Sequence, residues 1–183
     1  FKSFSFNTAP DIMMSATPQT VCLNNNDTLV ARLVVLGSGT VGSVTGASTG
    51  TSPYNSTTTS GRRQAILYLA SDLIAQGFQP GPITSIGWTV TSTTGFVNLP
   101  DFTIKMGHTN LSNPLPTTSI PATYGTGSSI VCVDYTAAGG YLPQTGLNMH
   151  TFTTPFMWDG VSNIIVETCL GATTTASSLT INY

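Results

Sequence analysis

Two histidines, seven acids, three cysteines and one glycine-rich turn are the groups in this 183-residue chain that could carry chemistry. The turn reads Gly37-Ser38-Gly39-Thr40-Val41-Gly42 and follows the apolar run Leu33 to Leu36. That spacing is used by dinucleotide-binding turns. There a helix N-terminus after the third glycine holds the pyrophosphate, and an acid about twenty residues on takes the ribose. Here Gly42 leads into Ser43-Val44-Thr45-Gly46-Ala47-Ser48, which lacks helix formers, and Thr57 to Arg62 holds no carboxylate. The glycines are expected to form a connection, and no cofactor is expected.

The remaining groups point the same way. His108 in FTIKMGHTN and His150 in LNMHTF could each act as a base, but Ser and Thr lie near every strand, so proximity to a hydroxyl marks no nucleophile. Each is expected near a strand end, holding a hydrogen bond. Glu167 in IIVETCL is the single glutamate, and period-two alternation sets it opposite Val166. A glycosidase needs a second carboxylate across a cleft. Glu167 is therefore expected on an outward sheet face or as a partner of Arg62 or Arg63. Asp159 in WDGVSN reads as a turn residue before Gly160. The acids lack the close spacing of a calcium loop, and His and Cys lack the spacing of a zinc site, so no metal is expected. Trp88, Trp158, Tyr54, Tyr68, Tyr124 and Tyr141 could stack on sugars, but at strand spacing they are expected mainly in packing. Asn26, Asn55 and Asn110 open Asn-x-Ser/Thr triplets, which arise by chance in a chain this rich in Ser and Thr.

The elements that would position these groups are strands. Charged residues are only 7% of the chain, against roughly 25% in ordinary soluble domains. Thr and Val favour a pleated surface, and Glu, Lys and Arg are scarce. Apolar runs recur between Gly, Pro and Asn clusters: RRQAILYLA, ITSIGWTV, FVNLPDFTIKM, SSIVCVDY, NMHTFTTPFMW, SNIIVETCL and SLTINY. This predicts an all-β, antiparallel β-sandwich, jelly-roll or Ig-like. TVCLNNNDTLVARLVVL reads as two strands joined at Asn24-Asn25-Asn26-Asp27, and the tract Gly37 to Gly61 as a long loop or weak strands. One short helix is predicted near 71–77, with Ser71 as cap, Asp72 at its positive end and Gly77 as terminator. Residues 1–38 are expected to supply N-terminal strands, an Ig-like fragment or assembly arm packing on the main domain. Residues 39–183 are expected to form the β-sandwich module. A net charge of −2 gives no footprint for nucleic acid, and no apolar run is long enough for a membrane helix. Low charge and sparse cysteine suit an extracellular or cell-surface β-protein.

The series GRRQAILYLASDLIAQGF, GPITSIGWTV, LPDFTIKMGHTN and HTFTTPFMWDGVSNIIVETC resembles a module of large secreted and cell-surface proteins of Bacteroidota. These are adhesin-like proteins that accompany type IX secretion and gliding. The resemblance covers Pro53 to Cys169, with FTIKMGHT and PFMWDGVSNIIVE its specific phrases. It implies a β-sandwich with no assigned catalytic centre. SATPQTVCLNNNDTLVARL resembles the opening of an immunoglobulin-like repeat of the same class. Asp27-Thr28-Leu29 resembles the O-glycosylation signal of that phylum, which makes Thr28 a candidate site. Relatives continue past the cysteine matching Cys169, often to another cysteine, whereas this chain stops at Tyr183. The resemblance thus leaves Cys22 as candidate disulfide partner of Cys169, in a fragment or in a subunit completed by a neighbour.

The chain ends, FKSFSF and SLTINY, are strand-like and nearly uncharged, and such edges invite pairing. Phe1, Phe4 and Phe6 are candidate assembly residues. The expected function is a non-enzymatic structural or adhesive module, self-associating or joined to neighbouring domains, as in a surface filament. The competing expectation is a carbohydrate-binding module recognising surface glycans.

Overall fold

The computed structural model describes residues 2–4, 11–17, 28–34, 38–41, 47–48, 52–92, 94–112, 130–136 and 139–182. The strands are β1 (Lys2–Phe4), β2 (Asp11–Thr17), β3 (Thr28–Val34), β4 (Gly39–Val41), β5 (Ala47–Ser48) and β6 (Arg62–Tyr68). The helix α1 (Ala70–Ala75) follows, then β7 (Gly81–Val90), β8 (Thr103–Thr109), β9 (Ile130–Thr136), β10 (Gly146–Trp158), β11 (Asn163–Leu170) and β12 (Ile181–Asn182). All pairings are antiparallel. The chain is all-β with one short helix.

Alternation builds the main strands. In β7, Ile86, Trp88 and Val90 are buried at every second position; in β11, Ile164 and Val166 do the same. They join Ile66 and Tyr68 of β6, Ile104 and Met106 of β8, and Phe152, Phe156 and Trp158 of β10 in one apolar cluster. The inner faces of two sheets thus share a core. Each large side chain buried there contributes about 1.5–3 kcal/mol of transfer free energy.

The first sheet is organised around β7. β10 flanks one side along its whole length, with Met149 opposite Gly87 and Gly146 opposite Val90. The other side carries β1, with Ser3 opposite Gly87, and β12, with Ile181 opposite Val90. β4 then pairs β1, and β5 pairs β12. The ladder between β7 and β10 is broken once: residues 152–155 stand opposite Thr84 alone, an irregular bulge that holds Pro155. The second sheet runs β6-β11-β8-β9. β2 and β3 form a two-stranded ladder with each other.

Several sequence expectations change here. β3 pairs with β2, and the strand expected to start at Thr20, with its turn at Asn24 to Asp27, lies outside the described residues. The Gly37–Gly61 tract contributes two short strands, β4 and β5. Both terminal strands are flanked on two sides inside their own sheet and are not free edges. Composition reports that a strand is uncharged but not which neighbours reach it.

The helix begins one residue earlier than predicted and is not capped by Ser71. Leu69 is the N-cap residue and makes no side-chain cap bond. The N–H of Ala70 is instead satisfied by Asn163 Oδ1 at 2.7 Å, while Ser71 Oγ lies 3.4 Å from Asp72 Oδ1. The cap comes from a residue 93 positions away, which no local motif encodes. The end is as expected: Gly77 has φ +85°, a left-handed geometry that only glycine adopts without cost.

Candidate functional site

The glycine-rich turn is described over residues 38–41. Gly39 lies in β4, and the next described elements are the strand β5 and the turns of residues 52–60, not a helix. Gly37 and Gly42 lie outside the described residues. A Cβ on Gly39 would stand 2.7 Å from the ring of Phe78. The missing side chain at Gly39 leaves room for that ring to close over the strand.

His150 stands inside β10, away from the strand end expected for it, and is fully buried. Its Nε2 shares a hydrogen bond of 2.8 Å with the hydroxyl of Tyr54, itself fully buried. Rings enclose the pair: Tyr141 at 4.6 Å from the imidazole centroid, Phe102 at 5.3 Å and Trp88 at 5.8 Å. Burial drives the His150 pKa from 6.5 down to about 3. A ring that stays neutral to such low pH takes no proton near neutrality, so here it works as a polar tie between Tyr54 and β10. Tyr141 continues the network by donating to Asn148 Oδ1 at 2.8 Å, and Asn148 Nδ2 donates to the carbonyls of Gln144 and Gly146.

His108 meets Asp159 and Ser162 at the hairpin between β10 and β11. Its Nε2 is 3.9 Å from Asp159 Oδ1, and its ring lies 4.7 Å from that of Phe156. Ser162 Oγ donates to Asp159 Oδ2 at 2.6 Å, and the N–H groups of Val161 and Ser162 donate to Oδ1. The residue types are those of a hydrolytic triad, but their order is wrong. A triad needs the imidazole between hydroxyl and carboxylate so that it can take the hydroxyl proton. Here the carboxylate stands between the other two. Burial opposes its ionisation, but the Ser162 hydroxyl and the two N–H groups outweigh that and hold Asp159 below the usual carboxylate range. Asp159 is the turn residue the sequence predicts.

Glu167 lies on the face of β11 opposite Val166, and its predicted pairing is made. Arg63 Nη2 bonds Glu167 Oε2 at 2.5 Å, and Cys169 Sγ donates to Oε1 at 3.3 Å. The face is less open than expected: Glu167 is only 3% exposed. Burial first, then the bond and charge of Glu167, raise the Cys169 thiol above its ordinary value, so it remains a protonated donor. Replacing Arg63 by Ala would remove the guanidinium partner of a buried carboxylate. The expected loss is about 1–3 kcal/mol, and Glu167→Gln in the Arg63→Ala background should recover part of it, both read by urea denaturation.

Cys169 is a free thiol, and Cys22 lies outside the described residues. Cys132 belongs to β9, which β8 separates from β11. Two strand spacings come to about 9.5 Å, beyond the roughly 7 Å limit for bridged Cα atoms. Thr28 opens β3 opposite Thr17, and Phe4 closes β1; Phe1 and Phe6 lie outside the described residues.

The aromatic residues are mostly interior. Trp88 is 1% exposed, Trp158 3%, Tyr54 0% and Tyr68 2%, so none of them offers a face to a sugar. Asn55 is also buried, its Oδ1 accepting from the Leu179 N–H at 2.8 Å. It belongs to a seam in which Ser56 and Ser177 exchange backbone bonds and Thr173 Oγ1 donates to Ser56 Oγ. An Asn55→Ala substitution orphans the Leu179 N–H and is expected to cost about 1–3 kcal/mol by thermal or urea unfolding. Asn110, by contrast, is exposed. Among the described residues no three His, Cys, Asp or Glu side chains gather as metal ligands, and no helix is long and apolar enough to cross a membrane. Searches against protein-family models, curated proteins and solved structures find no match to this chain.

Proposed function

We propose that the chain is a non-enzymatic structural or adhesive module of an extracellular surface, of the Bacteroidota adhesin-like kind that its sequence resembles, and that it associates with copies of itself. One observation carries the reading. Three of the described groups that could do chemistry are committed to folding: His150 to Tyr54, Asp159 to the hairpin, Glu167 to Arg63 and Cys169. Low charge, at 7% of residues, removes the repulsion that keeps neighbouring sheets apart. The burial of Trp88 and Trp158 favours this reading over glycan recognition.

Sedimentation velocity across a concentration series, with negative-stain microscopy, tests it. Growth into oligomers or fibres is the expected result, together with blank readings on a glycan array. A chain that stays monomeric to its solubility limit, or that captures a defined glycan, sinks the proposal.

A further inference from the structure

The two terminal strands lie end to end on one edge of β7. Both run antiparallel to it, so both point the same way. The registers are nearly consecutive: Asn182 follows Ile181, which faces Val90, and is thereby aligned with Thr89; Lys2 precedes Ser3, which faces Gly87, and is aligned with Trp88. β12 and β1 are thus two halves of a single strand, broken between Thr89 and Trp88. A backbone that continued straight on from β12 would enter the place that β1 occupies.

The hold on β1 within its own chain is slight. It is three residues long, and its ladders among the described residues are those with β4 and β7. Between β1 and β4 the described chain forms the β2–β3 ladder, which pairs with neither main sheet. Among the described residues, the segment between β1 and β4 thus adds no ladder to the main sheets beyond those of β1 and β4 themselves. Exchange of an identical strand between copies keeps every backbone bond and changes only which chain supplies it.

We infer that the slot between β4 and β7 accepts Lys2–Phe4 from a second copy of this chain, so that each module is closed by its neighbour's first strand. Donor and slot lie on the same molecule but serve different partners, so the contact is head-to-tail and propagates as an open series. The inference rests on the self-association proposed above and names the element that mediates it.

Ser3 and Thr40 face each other across β1 and β4, close enough for an engineered disulfide. In full-length chains with all three native cysteines changed to Ser, one chain carries Ser3→Cys and another Thr40→Cys. Mixing them under mild oxidation should yield a disulfide-linked heterodimer on non-reducing gels, absent when either chain is oxidised alone. The double variant Ser3→Cys/Thr40→Cys should give ladders of linked chains. If the double variant closes only within one chain while the protein still forms oligomers, the exchange is overturned and the module reading survives. If it closes only within one chain and the protein is monomeric, both fall. Failure of any link in the double variant also overturns the exchange, because β1 would not occupy the slot.

Discussion

Acidification from pH 7 to pH 4 is expected to destabilise the fold steeply, with His150 as a principal cause. Its pKa is 6.5 when unfolded and about 3 when folded, lowered by burial. Between these values the unfolded chain holds a proton that the folded chain refuses. Stability therefore rises with pH across this window and falls as pH drops, at about 1.4 kcal/mol per pH unit for one group. From pH 6.5 to pH 4 the summed loss is about 3 kcal/mol, a large share of the 5–15 kcal/mol typical of a domain. Urea denaturation at stepped pH measures the slope, and His150→Gln, whose amide can still meet the Tyr54 hydroxyl, should flatten it. NMR of the imidazole gives an independent reading: the ring should remain neutral at pH 5. A ring that titrates near 6.5 in the folded protein would place His150 in contact with water and contradict its burial.

Trp88→Ala is expected to be the most damaging single substitution at the centre of the fold. Trp88 is 1% exposed and stands edge-on to Tyr54 at 5.9 Å, beside His150. Removing it deletes a ring from a cluster that includes Phe102 and Tyr141 and leaves a cavity that strands held on both sides cannot close. Substitutions of this kind cost about 3–5 kcal/mol. Trp88→Phe keeps a ring and should recover a large part of that. Val161, 81% exposed at the hairpin tip, supplies the control: Val161→Ser should change stability by less than about 0.5 kcal/mol. Equal losses at the two positions would mean that the core is not where the alternation puts it.

Alternation made most of the fold readable. Around Trp88, Met106 and Val166 every second side chain enters the shared apolar cluster, and that period-two pattern marks strands β7, β8 and β11 in the sequence. Asp159 and Gly77 were readable because their roles are local, a side chain reaching its own turn and a left-handed φ. Pairing over distance was not readable. Asn163 caps a helix from across the fold, and Asn55 looks like a glycosylation triplet but is held against Leu179. Ser71 lost its predicted role because a competing oxygen reached the helix first. His150 was hidden for a related reason: a single histidine in a strand gives no sign of the four rings around it. The burial of Glu167 was equally silent, although the Arg63 pairing could be anticipated from the scarcity of cations.

The seam between residues 52–57 and 173–179 has a consequence for the order of events in folding. Its bonds join positions up to 124 apart, and the loop becomes cheap to close only once the β6–β11 ladder, which ends with Arg62 opposite Leu170, has brought the two segments together. The sheets around β7 and β11 are therefore expected to assemble first and the seam last. In reverse, the tail that carries Leu179 and Ile181 should open before anything else, exposing a greasy cleft while the rest stays shut. Amide hydrogen exchange would see this as faster exchange at Ser177 and Leu179 than at Val166, and the molecule would have a built-in point of first failure at its last strand.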